Sequence, residues 1–255
     1  VAHHITWARG RTVLVFESAS ELFSCMTSKF REISSAAIAE RQAFAAALSG
    51  GETPAGLYRE IADAKGAFDW EKIHIFLADE RFVPPADSRS NFAMIKATLL
   101  DQVPIPAENV HPVPFERSDP DFCARLYEDG IRAFFRILPG TFPAFDLIML
   151  GLGEDGHTAS LFPGTDIPEE RVRMVRAVPP SGGRTARITL TLPVINNARN
   201  VIFLVTGRRK AEILKRLVEG GDAGLPAARV APEAGEMRIM CDREAASLLR
   251  GQGSP

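Results

Sequence analysis

Within LGLGEDGHTASLFPGT, Asp155 and His157 stand two positions apart and are the residues best suited to moving a proton. A neutral imidazole can take a proton from water near neutral pH, and a carboxylate beside it can orient the ring or stabilise its charge. The pair follows a glycine loop at the end of the apolar run FDLIML, and the pattern predicts that it heads a short helix. The other histidines lack that setting: His3 and His4 are near the start of the chain, His74 lies mid-strand and His111 in a Pro-rich turn. Gly151, Gly153 and Gly156 satisfy GxGxxG, which alone would suggest a dinucleotide site. That fold wants an acid about 20 residues on, at the end of the next strand, and here RMVRAV ends in Val178-Pro179-Pro180. HExxH, GxSxG, GKS and GKT motifs and any His/Cys cluster at ligand spacing are missing from the sequence. This argues against zinc-peptidase, serine-hydrolase and P-loop chemistry and favours metal-free proton transfer.

Two further stretches could bind an anion. In AFAAALSGGETPAGLYREI a strand ends in Ser49, Gly50 and Gly51, and a helix is expected to open with Thr53 as N-cap and Pro54 as its first residue. Exposed loop N–H groups and a helix N-terminus together make a phosphate cradle; the alternative is a tight connection with no ligand. In KIHIFLADERFVPPADSRSNFAMIK, alternation along a strand sends Asp79 and Glu80 to opposite faces, so only one should face a site. Arg81, expected just past the strand end, offers a planar fork of donors to phosphate or else a surface ion pair. Ser90 reads as an N-cap, and Asn91 beside it is either structural or within reach of a ligand.

These loops need a scaffold, and the chain alternates short apolar strands with longer helical patterns. The strand candidates after RTVLVFE are AFAAALS, KIHIFLA, FDLIMLG, RMVRAV, RITLTL, NVIFLVT and EMRIMC. Helices are expected over about 20 to 41 and in PAGLYREIADA, SNFAMIKATLL, DPDFCARLYEDGIRAFFRIL, RKAEILKRLVEG and REAASLLR. The expected fold is α/β: a Rossmann-like, doubly wound, mostly parallel sheet with helices on both faces, forming one domain over 1–255. Ligands of such sheets bind beyond the carboxyl ends of the strands. With 45% hydrophobic and 24% charged residues the composition is that of a globule, and 30 basic against 32 acidic residues leave no general field for nucleic acid or an anionic membrane. No apolar run approaches the ~20 residues of a membrane helix. Cys25, Cys123 and Cys241 suit neither a disulfide framework nor a metal pair, and nothing at the start supports export, so a reducing cytoplasm is expected.

Taken in order, SGGETP, LADERFVP with SNF, LGLGEDGHTASLFPGT, RITLTLPVINNAR and LVTGRRKA resemble the successive blocks of the 6-phosphogluconolactonases. The related glucosamine-6-phosphate deaminases typically read DEY in place of Asp79-Glu80-Arg81 and follow DGH with IAFNEPGS rather than TASLFPG. The resemblance implies hydrolysis of 6-phospho-D-glucono-1,5-lactone by a protein with no cofactor and no metal, whose partner is the phosphosugar lactone and which is a monomer or weak homo-oligomer. It also implies roles. Ser49, Gly50, Gly51 and Thr53 hold the phosphate with Arg81 and Arg187; His157 activates water and then protonates the ring oxygen; Asp155 orients it. Asp79 and Asn91 meet substrate hydroxyls, and loop N–H groups near Gly153 stabilise the oxyanion. The chain departs from the family at Glu52, where SGGS is common, and between Val178 and Ala186, which lacks the lysine of SPKPPP. Arg184 is expected to supply that second cationic contact. The rival readings are a glucosamine-6-phosphate deaminase or isomerase and a non-catalytic phosphosugar sensor.

Overall fold

A computed structural model describes residues 3–7, 11–115, 119–138, 140–220 and 224–250. In chain order its elements are β1 (His3–Trp7), β2 (Arg11–Phe16), α1 (Ala19–Arg41), β3 (Phe44–Leu48), α2 (Glu52–Asp63), β4 (Ile73–Leu77), β5 (Asp79–Arg81) and α3 (Asn91–Thr98). There follow β6 (Val110–His111), α4 (Pro120–Phe135), β7 (Leu147–Leu150), β8 (Val175–Val178), β9 (Arg187–Leu190), α5 (Leu192–Asn196), β10 (Asn200–Val205), α6 (Ala211–Glu219) and β11 (Glu236–Asp242). The main sheet runs β1-β2-β11-β10-β7-β3-β4-β6, with every pair parallel except β1 with β2.

Strands that are apolar on consecutive residues are covered on both faces, as their composition requires. Ala45, Ala47, Ile148, Leu150, Val201 and Phe203 pack toward Tyr127 and Ile131 of α4 and Leu214 of α6. Their neighbours Ala46, Leu48, Leu147, Met149, Ile202 and Leu204 pack toward Leu22 and Phe30 of α1, Leu57 of α2 and Ile95 of α3. The apolar stripe of α1, from Leu22 through Met26, Phe30 and Ile33 to Ala37, repeats at helical spacing. Its start is fixed by Ser18, which accepts the Glu21 N–H, and its end by Gln42 in the left-handed region at φ 63°.

Three expectations change. RMVRAV and RITLTL become β8 and β9, but they leave the main sheet and form a separate antiparallel sheet, β5-β9-β8. Their alternation pattern was compatible with either sheet; what decides is that Val175, Val178, Ile188 and Leu190 join the core on the α4 side. Arg81 consequently lies inside a strand, β5, and not past one. REAASLLR is a run of turns rather than a helix, tied down where Asp242 accepts the Ala245 N–H.

At the far edge of the main sheet, His111 belongs to β6 rather than to a free turn, stacks on Phe76 at 4.1 Å and meets His74 at 3.3 Å between ring nitrogens. Burial, then the His74 charge, lowers the His111 pKa to about 4, and burial lowers that of His74. The unfolded chain protonates these rings near about 6.5, so between that pH and about 4 it binds more protons than the folded one, and stability falls as pH falls. After discounting for its part exposure, His111 contributes roughly 2 kcal/mol to that loss. Denaturation midpoints at pH 7 and pH 4.5 should therefore draw closer together in His111→Phe than in wild type. An unchanged gap would remove this pair from the acid response.

Candidate active site

Beyond β3 the chain turns outward to β4 and β6, whereas β7, β10 and β11 extend the sheet the other way. The crevice at such a reversal is where an open α/β sheet offers its strand ends to a ligand. Here it is a cleft of about 830 Å³, walled by residues 49–54 after β3, Gly151–Gly153 and His157 after β7, and residues 204–210 at the end of β10. Asp79, Arg81, Asn91 and Arg187 close it from the small sheet and α3.

Asp155 sits in a turn of the β7 loop and His157 in the irregular stretch just after it, not on the predicted short helix. Gly156 at φ 85° and the Thr158–Leu161 bridge bend the chain there, and Thr158 Oγ1 donates to the Gly151 carbonyl at 2.9 Å. Asp155 Oδ1 accepts from His157 Nδ1 and from the His157 amide at 3.1 Å. A carboxylate only accepts, so the proton is on Nδ1 and Nε2 is the basic nitrogen. Burial opposes ionisation of Asp155, but the hydrogen bonds from His157 and the Arg184 charge outweigh it and hold the carboxyl below its ordinary range.

Gly153 has a different part from the one expected. Its N–H donates to the His157 carbonyl at 2.8 Å and so is not open to an oxyanion. What it supplies is space: a Cβ there would lie 2.0 Å from His157 Nδ1 and 2.7 Å from Asp155 Oδ1. Gly153→Ala should displace the ring and lower turnover roughly 10²-fold, the scale expected for about 1 Å of misplacement. Steady-state kinetics beside a melting curve test this; wild-type turnover would mean the ring tolerates the shift.

The small sheet carries the acid arm. Asp79 accepts from Ser160 Oγ at 2.6 Å and Asn91 Nδ2 at 3.2 Å, and pairs with Arg187 at 3.6 Å. As alternation required, Glu80 faces the other way, where it accepts the Ser90 hydroxyl and the amides of Asn91 and Phe92, with burial raising its pKa. Ser90 caps α3 as expected. Asn91 presses on the glycine loop so closely that a Cβ on Gly50 would lie 1.8 Å from its Oδ1. Asn91 Oδ1, Arg81 Nε and Arg187 Nε are all buried without a hydrogen-bond partner among the described residues. Buried polar atoms in that state call for an explanation, and a polar ligand in the cleft supplies one. Burial lowers the Arg187 pKa; Asp79 opposes this, while Arg81 and Arg184 reinforce it. The site thus concentrates positive charge next to the glycine loop.

The imidazole and that loop are joined by an unbroken path. His157 contacts Phe162 at 4.7 Å, Arg187 lies 5.6 Å over the same ring, Arg187 pairs with Asp79, and Asp79 holds Asn91 against Gly50. Residues 17–239 match the family described as glucosamine-6-phosphate isomerases/6-phosphogluconolactonase. The chain belongs to this family. It is 42% identical over 228 residues to a 6-phosphogluconolactonase of Synechocystis, covering 89% of this chain and 91% of that protein. It is 36% identical to a human 6-phosphogluconolactonase, covering 93% of each. Among solved structures, the 6-phosphogluconolactonase from Trypanosoma cruzi superposes with a TM-score of 0.83 at 30% identity, covering 97% of this chain and 99% of that one.

Within this lactonase family frame, several expected roles shift. Ser49 spends its only hydroxyl proton on the Met149 carbonyl at 2.7 Å, locking the end of β3 to β7, so it has none for a phosphate. Thr53 is not the N-cap of α2; Gly51, at φ 119°, holds that position, and the Thr53 hydroxyl instead meets that of Thr206. Glu52 is exposed in the first turn of α2, where the helix dipole favours an acid. Arg184 is engaged on Asp155 Oδ2 at 3.2 Å. Sequence reasoning assigned no site role to Thr206, Gly207, Arg208, Arg209 or Lys210, which line the opposite wall. The signal was present: a Thr-Gly step directly after an apolar strand, then three cations entering a helix.

Proposed function

We propose that this chain, as one domain in the cytoplasm, hydrolyses 6-phospho-D-glucono-1,5-lactone to 6-phosphogluconate. The observation that carries the reading is the Asp155-supported imidazole facing the same cleft as the glycine loop and the Arg81/Arg187 cluster. Phosphate binds at Gly50, Gly51 and the start of α2 with Arg81 and Arg187, because loop amides, a helix N-terminus and two guanidiniums converge there. Asp79 and Asn91 Oδ1 accept from sugar hydroxyls. Nε2 of His157 removes a proton from water as the water oxygen bonds to C1; the tetrahedral intermediate then collapses with cleavage of the C1–O5 bond, and His157 returns the proton to O5. Asp155 keeps the ring in the required tautomer. Every group named lies on one chain, so the reading needs no second copy.

Purified protein should consume the lactone well above its spontaneous hydrolysis and release no ammonia from glucosamine 6-phosphate. Hydrolysis at the background rate, with phosphogluconate still bound, would replace the enzyme by a phosphosugar sensor; ammonia release would replace it by a deaminase.

A further inference from the structure

Arg184 stands on the hairpin loop between β8 and β9, and its attachments run to Asp155 and Phe162 behind the imidazole. Gly182 and Gly183, at φ 57° and 77°, and the Arg184 N–H donated to the Ser181 carbonyl at 3.0 Å curl the loop back on itself. The guanidinium then lies 4.5 Å over the Phe162 ring while donating to Asp155 Oδ2. Asp155 is thus divided: one oxygen serves the imidazole and the other the guanidinium, with Phe162 touching both the ring and the cation. We propose that Arg184 is a positioning residue, which sets the orientation and charge balance of the Asp155–His157 pair from a hairpin 29 residues away and does not contact the phosphosugar. This deepens the lactonase reading and rests on it for its kinetic part.

The residue type fits the task. A guanidinium offers both a flat face for the aromatic ring and a donor edge for the carboxylate, whereas an ammonium is a point charge without a face. The side chain is 47% exposed, so its role is not core packing, and the neighbouring cleft wall is formed by Arg187 and His157 without it. Other charged groups near the pair are Arg187, over the same ring, Asp79, which pairs with Arg187, Glu154, which pairs with Arg209, and Arg208, Lys210 and Glu244 on the same cleft; none of these contacts is with Asp155. Arg184 is therefore the cation hydrogen-bonded to the acid that orients the base.

The test uses Arg184→Gln and Arg184→Lys, read by lactone kinetics and by NMR titration of the His157 ring in ligand-free protein. Arg184→Gln should lower kcat about 10-fold with KM within about twofold. Its His157 titration should move to higher pH, because the Asp155 charge is then unshared beside the imidazole. Arg184→Lys should return the titration toward wild type while kcat stays reduced, since the face on Phe162 is lost. A raised KM with unchanged kcat would make Arg184 a substrate contact and overturn the proposal, as would no change in kcat or titration. If the wild-type chain proves inactive on the lactone but the titration still moves, the lactonase reading has failed while the coupling through Asp155 stands.

Discussion

His157→Ala is expected to remove about 10²- to 10⁴-fold of turnover, the usual range for a general base, while leaving 6-phosphogluconate affinity nearly intact. The split follows from the geometry. His157 is part-exposed in the loop after β7 and its ring bonds Asp155, so deleting it opens no core cavity and leaves Gly50 and Gly51 untouched. Rates must be corrected for spontaneous hydrolysis, and product affinity measured by calorimetry. Unchanged turnover would take the imidazole out of the reaction, and a parallel loss of affinity would make it a binding group.

Arg187→Ala is expected to weaken 6-phosphogluconate roughly 10- to 150-fold and unphosphorylated gluconate far less. A charge-assisted hydrogen bond contributes about 1.5–3 kcal/mol, which gives that range. Asp79 keeps its bonds from Ser160 and Asn91 when the guanidinium goes, so the acid is not stranded. Arg187 and Arg81 each carry a buried Nε without a partner among the described residues, but Arg81 also spends an Nη1 donor on the Arg89 carbonyl. Arg81→Ala should therefore show the same selectivity with a smaller loss. Equal losses for both ligands in competition assays would make Arg187 a support for Asp79 alone.

Much of this was legible in the residues. Consecutive apolar positions announced buried strands, and Ser90 announced the start of α3, whereas the start of α2 was read two residues late, at Thr53 instead of Gly51. The opposed directions of Asp79 and Glu80 followed from strand alternation before any coordinate. What local pattern could not show was partnership. Whether β8 and β9 join the main sheet depends on the surface they find, and a hydroxyl such as that of Ser49 reads as a ligand donor until the Met149 carbonyl takes its proton. Gly153 looked like an oxyanion donor because glycine loops expose amides; its N–H was already committed to His157. Arg184 looked like a replacement for a missing lysine because its charge was right, yet its contacts run to Asp155 and Phe162.

The adjacency of β3 and β7, sealed by a side chain reaching across 100 positions, bears on how the protein matures. Neither half owns a working centre. A nascent chain that has emerged only through α4 carries the anion loop but not the strand it leans on, and pairing so distant in sequence is slow to form. Catalytic competence should arrive last, in one step with closure of the sheet's middle.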